Sequence, residues 1–242
     1  AAALTPAVAV RAWIDAAALW RDKLGERTRC LAALERGLER DPSHREAFAA
    51  ALAIVRDAGD TAGELELLER YAPDEASGSP DDAVSMHARA AEIAESQGDL
   101  PRAIAQWRSV VALEPESPRA LRALARTARA AEEWNVAADA MIRLAKVSTD
   151  DAERVALFFG LGEIFDAHIP DPRRAEAAWR RVLALSPRDE RTLVRLSDLY
   201  RRTGDTAREA DAIQSLATVL APSPERTERL LRLAAIAALP IG

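Results

Sequence analysis

One recurring pattern limits the folds open to this chain more than any other feature of the sequence. In its clearest copy, a turn at Gly98 is followed five positions later by the small residue Ala103, then by the large residue Trp107, and the copy closes at Pro115. Further copies follow at steps of about 34 residues, with two longer steps, and their turn positions are Gly25, Gly59, Glu132, about Pro170 and Gly204. Such a period is typical of a repeat array, in which chain length counts repeats instead of separate domains.

Two packing positions hold similar residue types from copy to copy. The small position is Cys30, Ala103, Ala137 or Ala175, and the large position is Leu34, Leu68, Trp107, Met141 or Trp179. Glu64 and Glu209 stand at the small position of two other copies, each three residues after a threonine, which predicts a capping box at a helix start. Because a glutamate departs from the small residue expected there, we expect the second helix of those copies to slip by one residue.

The chain is predicted to be all-helical. Ser117-Pro118 and Asp171-Pro172 each place a capping side chain before a proline, which favours a helix start. No segment alternates apolar and polar residues as a half-buried strand would.

These landmarks resemble the tetratricopeptide repeat, a pair of antiparallel helices. The resemblance implies an α-solenoid of about six helix pairs with a final lone helix, wound as a right-handed superhelix. It also implies packing positions for the tryptophans Trp13, Trp20, Trp107, Trp134 and Trp179. We expect one repeat domain over 1–242, as part of a longer protein, with helix pairs at 8–42, 43–72, 80–115, 117–148, 151–187 and 189–222 and a last helix at 224–239.

Composition narrows the class of function. The net charge of −6 argues against a general nucleic-acid binder, which needs a basic surface. Cys30 is the only cysteine, so no disulfide can form within the chain, and a reducing compartment, the cytoplasm, is the expected location. Arg11 and Asp15 interrupt the first apolar residues too early for a membrane span. Lys23 and Lys146 are the only lysines, a bias that we interpret as the base composition of a GC-rich bacterium.

No catalytic, cofactor or metal site is expected. His44, His87 and His168 are far apart and lack the spacing of a metal-binding pair, so we interpret them as surface or loop residues. Gly160 and Gly162 fall inside a predicted first helix, where glycine allows close packing, and they do not form a phosphate-binding loop. The chain is therefore predicted not to be an enzyme.

The resemblance implies that the first helix of each pair lines a concave groove for a peptide or an extended partner segment. Carried onto this sequence, the groove positions include Glu92, Phe159, Glu163 and Asp198, with Phe159 as the candidate apolar contact. The lysine and asparagine of the family's clamp for carboxyl-terminal tails are missing here. Recognition of a chaperone tail is therefore not predicted.

A stripe of arginines marks the first helix of the fourth pair. Arg119, Arg122, Arg126 and Arg129 recur at three- and four-residue intervals, which places them on one helix face. Their mutual repulsion requires balancing anions, from one or both of two sources. One is an acidic segment of a partner, bound through bidentate arginine contacts. The other is a ladder of salt bridges to acidic residues of the flanking first helices, namely Glu92, Glu95, Glu163 and Asp166.

The predicted function is a protein-binding scaffold or adaptor without catalytic activity. The alternative is a regulatory array that controls a catalytic or effector domain outside this chain. The apolar segment from Leu233 to Leu239 is expected to be covered by another helix, through self-association or through a continuation of the chain. RNA binding is disfavoured by the net charge.

Overall fold

Helices supply the regular structure in every part of the chain that the structure describes. The computed structural model describes residues 6–20, 26–71, 80–219 and 224–238, and these ranges contain no strand. The all-α prediction is therefore confirmed. The helices are α1 (Pro6–Leu19), α2 (Arg27–Arg40), α3 (Arg45–Asp57), α4 (Thr61–Tyr71), α5 (Pro80–Ser96), α6 (Leu100–Leu113), α7 (Pro118–Ala130), α8 (Trp134–Val147), α9 (Asp151–Ala167), α10 (Pro172–Leu185), α11 (Glu190–Thr203), α12 (Thr206–Val219) and α13 (Pro224–Ala237). Lys23, Gly25 and Leu239 lie outside the described residues, and so do the predicted range ends at 72 and 222.

The turn inside several repeats is made by a residue in the left-handed backbone region. Gly59, Gly98 and Gly204 have φ angles of 67°, 77° and 77°, which glycine adopts without a Cβ clash. Glu132 has a φ of 58°, and it is the one non-glycine residue with a positive φ in the described ranges. The alignment of Glu132 with the turn glycines is therefore confirmed.

Aspartates that follow the turn glycines cap the second helices. Asp60 Oδ1 accepts a hydrogen bond of 2.9 Å from the backbone N–H three residues later, and Asp205 Oδ1 accepts the equivalent bond at 3.1 Å. The capping boxes predicted at Thr61 and Thr206 are wrong. Each threonine is the first residue of its helix, and the preceding aspartate already satisfies the exposed N–H groups.

The packing positions form the core of the helix pairs. The small residues Ala103, Ala137 and Ala175 are fully buried, and Trp107 and Trp179 are 3% and 0% exposed. Glu64 and Glu209 are buried too, and so are the large residues four positions later, Leu68 and Ile213. The predicted slip of one residue is therefore wrong, because both glutamates keep the register that the alanines have in other repeats.

Glycine allows α9 and α10 to approach closely. A Cβ added to Gly162 would collide with the indole ring of Trp179. Because Trp179 is fully buried, it has no free space into which it can move. The interpretation of Gly162 as a packing residue is confirmed.

The remaining tryptophans are less buried than Trp107 and Trp179. Trp13 and Trp20 are half-buried and pack against the core of the first helices. Trp134 is half-buried and stacks on the ring of His168, with 3.7 Å between the ring centroids.

The chain divides into two compact units, Ala1–Ala131 and Glu132–Gly242. In the first unit, α1 packs on α2 and α5 packs on α6, with contacts between each helix and the next along the chain. In the second unit, the corresponding pairs are α9 with α10 and α11 with α12, and α13 packs on α12. The single repeat domain over 1–242 stays a prediction.

The last helix, α13, exposes apolar side chains. Leu230 and Leu231 are 39% and 68% exposed, whereas Leu233 and Ile236 are half-buried. Among the helices in the described ranges, none has the length and apolar character needed to cross a membrane.

Candidate functional site

The arginine stripe lies on the exposed face of α7. The opposite face of this helix carries small and medium apolar residues, which are buried: Ala120, Leu121, Leu124, Ala125 and Ala128. The helical period places the charged side chains away from that face, and Arg119, Arg122, Arg126 and Arg129 are all exposed. The structure therefore brings the four predicted arginines together on one surface.

Two arginines of the stripe form ion pairs with the preceding first helix, α5. Arg119 Nη2 lies 2.9 Å from Glu92 Oε1, and Arg126 Nη2 lies 2.8 Å from Glu95 Oε2. This half of the predicted salt-bridge ladder is present within the first unit. The side chains of Arg119 and Arg126 nevertheless remain 75% and 67% exposed.

Glu95 is the most constrained member of this ladder. Its Oε1 accepts a hydrogen bond of 3.0 Å from the indole Nε1 of Trp107 and another from the hydroxyl of Thr127. Burial raises the pKa of the Glu95 carboxyl, but the hydrogen bonds from Thr127, Trp107 and Arg126 together outweigh burial and hold the pKa below its ordinary value. Glu95 therefore stays ionised and fixes both Arg126 and the core tryptophan.

The acidic residues expected on the other side of the stripe have partners on α11. Glu163 accepts a hydrogen bond from Arg195 Nη2 at 3.1 Å, and Asp166 accepts one from Arg202 Nη2 at 2.6 Å. The ladder in the second unit thus joins α9 to α11.

Asp198 continues this ladder towards α13. Its Oδ1 accepts hydrogen bonds from Arg201 Nη2 at 2.9 Å and from Arg229 Nη1 at 2.8 Å. The sequence indicates the arginine stripe but gives no sign of Arg195, Arg202 and Arg229 as partners, because each lies about one repeat from its carboxylate.

Phe159 lies under an arginine. Its side chain is 8% exposed, and the guanidinium carbon of Arg191 lies 4.1 Å from the centroid of its ring. A cation over an aromatic face is an attractive contact. A partner at this position would therefore meet Arg191 before it reached the ring.

Two buried glutamates, one in each unit, form separate ion pairs with arginines that the repeat pattern does not predict. Glu64 accepts hydrogen bonds from Arg56 Nε at 2.8 Å and from Arg89 Nη2 at 2.9 Å. Glu209 accepts two bonds of 2.9 Å from the guanidinium of Arg232. The sequence signal for these ion pairs is a glutamate at the small packing position, because a carboxylate buried there needs a cationic partner.

The hydrogen bond from Arg89 lowers the pKa of Glu64 more than burial raises it. The second hydrogen bond, from Arg56, lowers the pKa further. Glu64 is therefore ionised at neutral pH although it is buried, and we interpret it as a structural residue.

The three histidines have separate structural roles. His44 Nδ1 accepts a hydrogen bond from Ala47 N at 3.3 Å and caps α3. His87 lies 2.8 Å from Gln106 Oε1, and His168 stacks on Trp134. Across the described ranges, no group of three or more His, Cys, Asp or Glu side chains is arranged to hold a metal ion.

Comparison with known families gives one match. A family model described as "Tetratricopeptide repeat" matches residues 88–153 and 171–225, which together make up half of the chain. No curated protein matches the sequence.

Several solved structures resemble this chain at low sequence identity. The crystal structure of MamA is 17% identical, covers 89% of this chain and 96% of its own, and has a TM-score of 0.40. YrrB, described as a TPR protein with an unusual peptide-binding site, is 14% identical, covers 66% of this chain and 83% of its own, and has a TM-score of 0.45. The C-terminal part of a TPR repeat-containing protein from Cytophaga hutchinsonii is 12% identical, covers 93% of this chain and 88% of its own, and has a TM-score of 0.49.

Proposed function

The chain belongs to the tetratricopeptide repeat family, and from this membership we propose that it is a non-catalytic scaffold or adaptor that binds a partner protein. The proposed contact surface is the arginine stripe of α7 together with Glu92 and Glu95 of α5. An acidic segment of the partner would bind there. The cytoplasmic location and the bacterial origin of this chain stay predictions, which rest on its cysteine and lysine content.

The exposure of the stripe is the observation that carries this proposal. Arg119 and Arg126 are paired with glutamates, yet their side chains are 75% and 67% exposed. A planar guanidinium has five N–H donors, so an arginine that donates to one carboxylate keeps donors for a second. The ladder and a bound acidic segment are therefore compatible.

The energy of the ladder also favours exchange with a partner. Solvent-exposed ion pairs contribute about 0–1 kcal/mol each, so a carboxylate of a partner can replace Glu92 at small cost. Several guanidinium groups on one helix face can then bind several carboxylates at once. Such contacts supply orientation and rate of association more than affinity.

The test combines a charge reversal with a matched control. Arg122→Glu and Arg126→Glu are introduced together, and the control carries Arg173→Glu and Arg188→Glu, which change the net charge equally at exposed positions of the second unit. Binding of a fluorescein-labelled hexaglutamate peptide is followed by fluorescence anisotropy, and thermal unfolding is measured for each variant. We expect the α7 variant to bind at least about tenfold more weakly than the control, a loss of about 1.4 kcal/mol.

The two measurements separate the ligand role from the ladder. A lower unfolding temperature with unchanged peptide binding would assign the arginines to the ladder alone. Because exposed charges are screened within about 10 Å at 0.1 M ionic strength, binding is measured at both low and physiological salt. Equal losses in the α7 variant and in the control would also contradict a contact surface on α7.

The regulatory role is the second candidate, and the exposed face of α13 favours it. Leu231 is 68% exposed and Leu230 is 39% exposed, although both are large apolar residues. Another domain or a second copy of the chain could cover them. Sedimentation of the wild type and of Leu231→Lys tests self-association, because an oligomer held together by this face would dissociate in the variant.

A further inference from the structure

A cavity of about 760 Å³ lies within the second unit, where the end of α8, one side of α9 and the part of α10 from Arg174 to Arg181 meet. It is open to solvent on one side. Its volume falls in the usual range for ligand pockets, which is about 300–1,000 Å³.

The wall formed by α9 is apolar and aromatic. Phe158, Leu161 and Phe165 recur at helical spacing along one side of this helix and line the cavity. Leu161 and Phe165 are 2% and 3% exposed, so their positions are fixed by packing, and Phe158 is half-buried. Glu163, which pairs with Arg195, does not line the cavity. The cavity is therefore separate from the salt-bridge ladder.

The rim of the cavity is cationic. Arg174 lies over the ring of Phe165 at 3.9 Å, and Arg181 lies over the ring of Phe158 at 5.8 Å. Lys146 and Arg154 also line the cavity, and no acidic side chain lines it among the described residues.

The positive charge of the rim is only partly balanced. Arg154 donates to Asp151 at 2.9 Å, but its Nε is buried and has no hydrogen-bond partner within the described part of the chain. No carboxylate in that part lies within ion-pair distance of Lys146, Arg174 or Arg181. A ligand with an apolar group and negative charge matches both the wall and the rim.

We propose that this cavity binds a segment of the partner protein in which an aromatic or large aliphatic side chain is flanked by acidic residues. This inference rests on the proposed protein-binding function and gives it a second site, in the other unit from the α7 stripe. The apolar side chain would contact Phe158, which is half-buried, whereas Phe165 is buried under Arg174 and shapes the wall without being touched. The flanking carboxylates would bind Arg174 and Arg181.

The spacing of the two arginines favours a peptide with flanking acids over a ligand with a single charged group. Arg174 and Arg181 are separated by two turns of α10, or about 10 Å along its axis. In a peptide, the residues on either side of a central one have Cα atoms up to about 7 Å apart. When the backbone turns at the central residue, the flanking side chains do not point to the opposite face as they would in a strand, and their length adds the remaining reach. Both guanidinium groups are already positioned over aromatic rings, so little side-chain freedom is lost on binding.

The experiment uses the full chain and three fluorescein-labelled peptides with acetylated and amidated ends. Their central residues are Glu-Phe-Glu, Gln-Phe-Gln and Glu-Ala-Glu, in the same Gly-Ser context. The protein variants are Arg181→Glu and, as the matched control on the same helix, Arg173→Glu, which is exposed and does not line the cavity. Octanoate is added as a competitor with one charged group.

We expect the wild type and Arg173→Glu to bind Glu-Phe-Glu at least about tenfold more tightly than either other peptide, and Arg181→Glu to lose this preference. Equal binding of Glu-Ala-Glu, or equal affinity in Arg181→Glu and Arg173→Glu, would overturn the proposal. Octanoate binding in the cavity without any binding of Glu-Phe-Glu would overturn it too, in favour of a free amphiphile.

The variants of α7 separate this proposal from the one on which it rests. If Glu-Phe-Glu binding is lost in the Arg122→Glu and Arg126→Glu variant and kept in Arg181→Glu, the cavity proposal fails and the stripe proposal stands. If the peptide requires Arg181 and not the stripe, the cavity is a binding site in its own right, whatever hexaglutamate shows. Absence of Glu-Phe-Glu binding in the wild type refutes the cavity site alone, because the stripe has its own peptide.

Discussion

The buried carboxylate of Glu64 is held by the guanidinium of Arg89 through two hydrogen bonds, of 3.1 Å and 2.9 Å. Arg89→Ala should lower the free energy of unfolding by about 1–2 kcal/mol, less than for a fully buried pair because the Arg89 side chain is 46% exposed and Arg56 remains. Adding Glu64→Ala should recover most of this loss, since alanine is the residue that other repeats carry at this position. Urea unfolding measures both, and a double variant no more stable than Arg89→Ala would contradict the account.

The same carboxylate predicts a pH dependence of stability. The pKa of Glu64 is lowered in the folded protein, chiefly by the hydrogen bond from Arg89. A lowered folded-state pKa contributes stability above the ordinary value of 4.5, and this contribution is lost as the pH falls below it. The difference in unfolding free energy between the wild type and Glu64→Gln should stay constant from pH about 7 to about 5 and shrink in more acidic solution. A constant difference throughout would show that Glu64 does not titrate in this way.

A second pH dependence is expected in alkaline solution. Burial, followed by the hydrogen bond of 3.1 Å from Tyr200 to Glu176, raises the pKa of Tyr200 from 10.0 to about 12. A raised folded-state pKa contributes stability below the unfolded value, and this stability is lost as the pH rises from 10.0 to about 12.

Tyr200→Phe should remove this alkaline loss and cost about 1 kcal/mol at neutral pH. The chain has only two tyrosines, so the tyrosinate absorbance can be assigned by comparing the wild type with the variant. Ionisation of Tyr200 near its ordinary pKa in the folded protein would refute the prediction.

The left-handed backbone conformation of Glu132 is unfavourable for a residue with a Cβ atom, whereas the turn glycines adopt it without this cost. Its φ of 58° lies in the left-handed region, which costs a residue with a Cβ about 1–2 kcal/mol. Glu132→Gly should therefore raise the free energy of unfolding by about 0.5–1 kcal/mol, after the greater freedom of glycine in the unfolded chain is subtracted. Gly98→Ala is the reverse control and should lower it by about 1 kcal/mol, because Gly98 has a φ of 77°. Chemical denaturation measures the free energy of unfolding of both variants. If Glu132→Gly is no more stable than the wild type, the predicted cost of the left-handed conformation is wrong.

Gly162→Ala should destabilise the protein although alanine favours helices. The added Cβ would collide with the buried indole of Trp179, and overpacking of this kind costs about 1–3 kcal/mol. Alanine gains about 1 kcal/mol over glycine in helix propensity, which does not offset an overpacking cost in the upper part of that range. A double-mutant cycle with Trp179→Phe measures the coupling: the combined loss should be smaller than the two single losses added. Additive losses would show that the two residues do not compete for space.

Local geometry explains why much of the fold could be predicted from the sequence. The turn at Gly98 requires a left-handed backbone, and the contact at Ala103 requires a small side chain, so each demand limits the residue at one position. Even Glu132 can be aligned with the turn glycines from the sequence, because its neighbours keep the repeat spacing. The capping boxes at Thr61 and Thr206 failed for a local reason too, since an aspartate one residue earlier competes for the same N–H groups.

Contacts between repeats were harder to predict. A glutamate at the position of Glu64 is unfavourable in the core unless arginines from two other places in the chain reach it, and sequence spacing does not show that they do. The stripe on α7 can be predicted from its helical period. The sequence does not decide whether Glu92 and Glu95 or an acidic segment of a partner balances its charge. The cavity beside Phe158 could not be predicted from the repeat register, which points to the neighbouring Phe159 as the groove contact, and the ring of Phe159 is buried under Arg191.

The ion pairs that join α5 to α7, α9 to α11 and α11 to α13 run in one direction, with the acid earlier in the chain and the arginine later. The pair between α1 and α3 has the opposite order, since Arg11 precedes Glu46. The helix α11 takes part twice, because Arg195 reaches back to Glu163 and Asp198 reaches forward to Arg229. Consider a second copy of the α11–α12 pair inserted directly after the first. The arginine of the second copy that corresponds to Arg195 would meet Asp198 of the first copy, and the aspartate of the second copy that corresponds to Asp198 would meet Arg229. In such a duplicate, the charges of Arg195 and Asp198 would keep oppositely charged partners on both sides, so these two residues would tolerate an added repeat at that point.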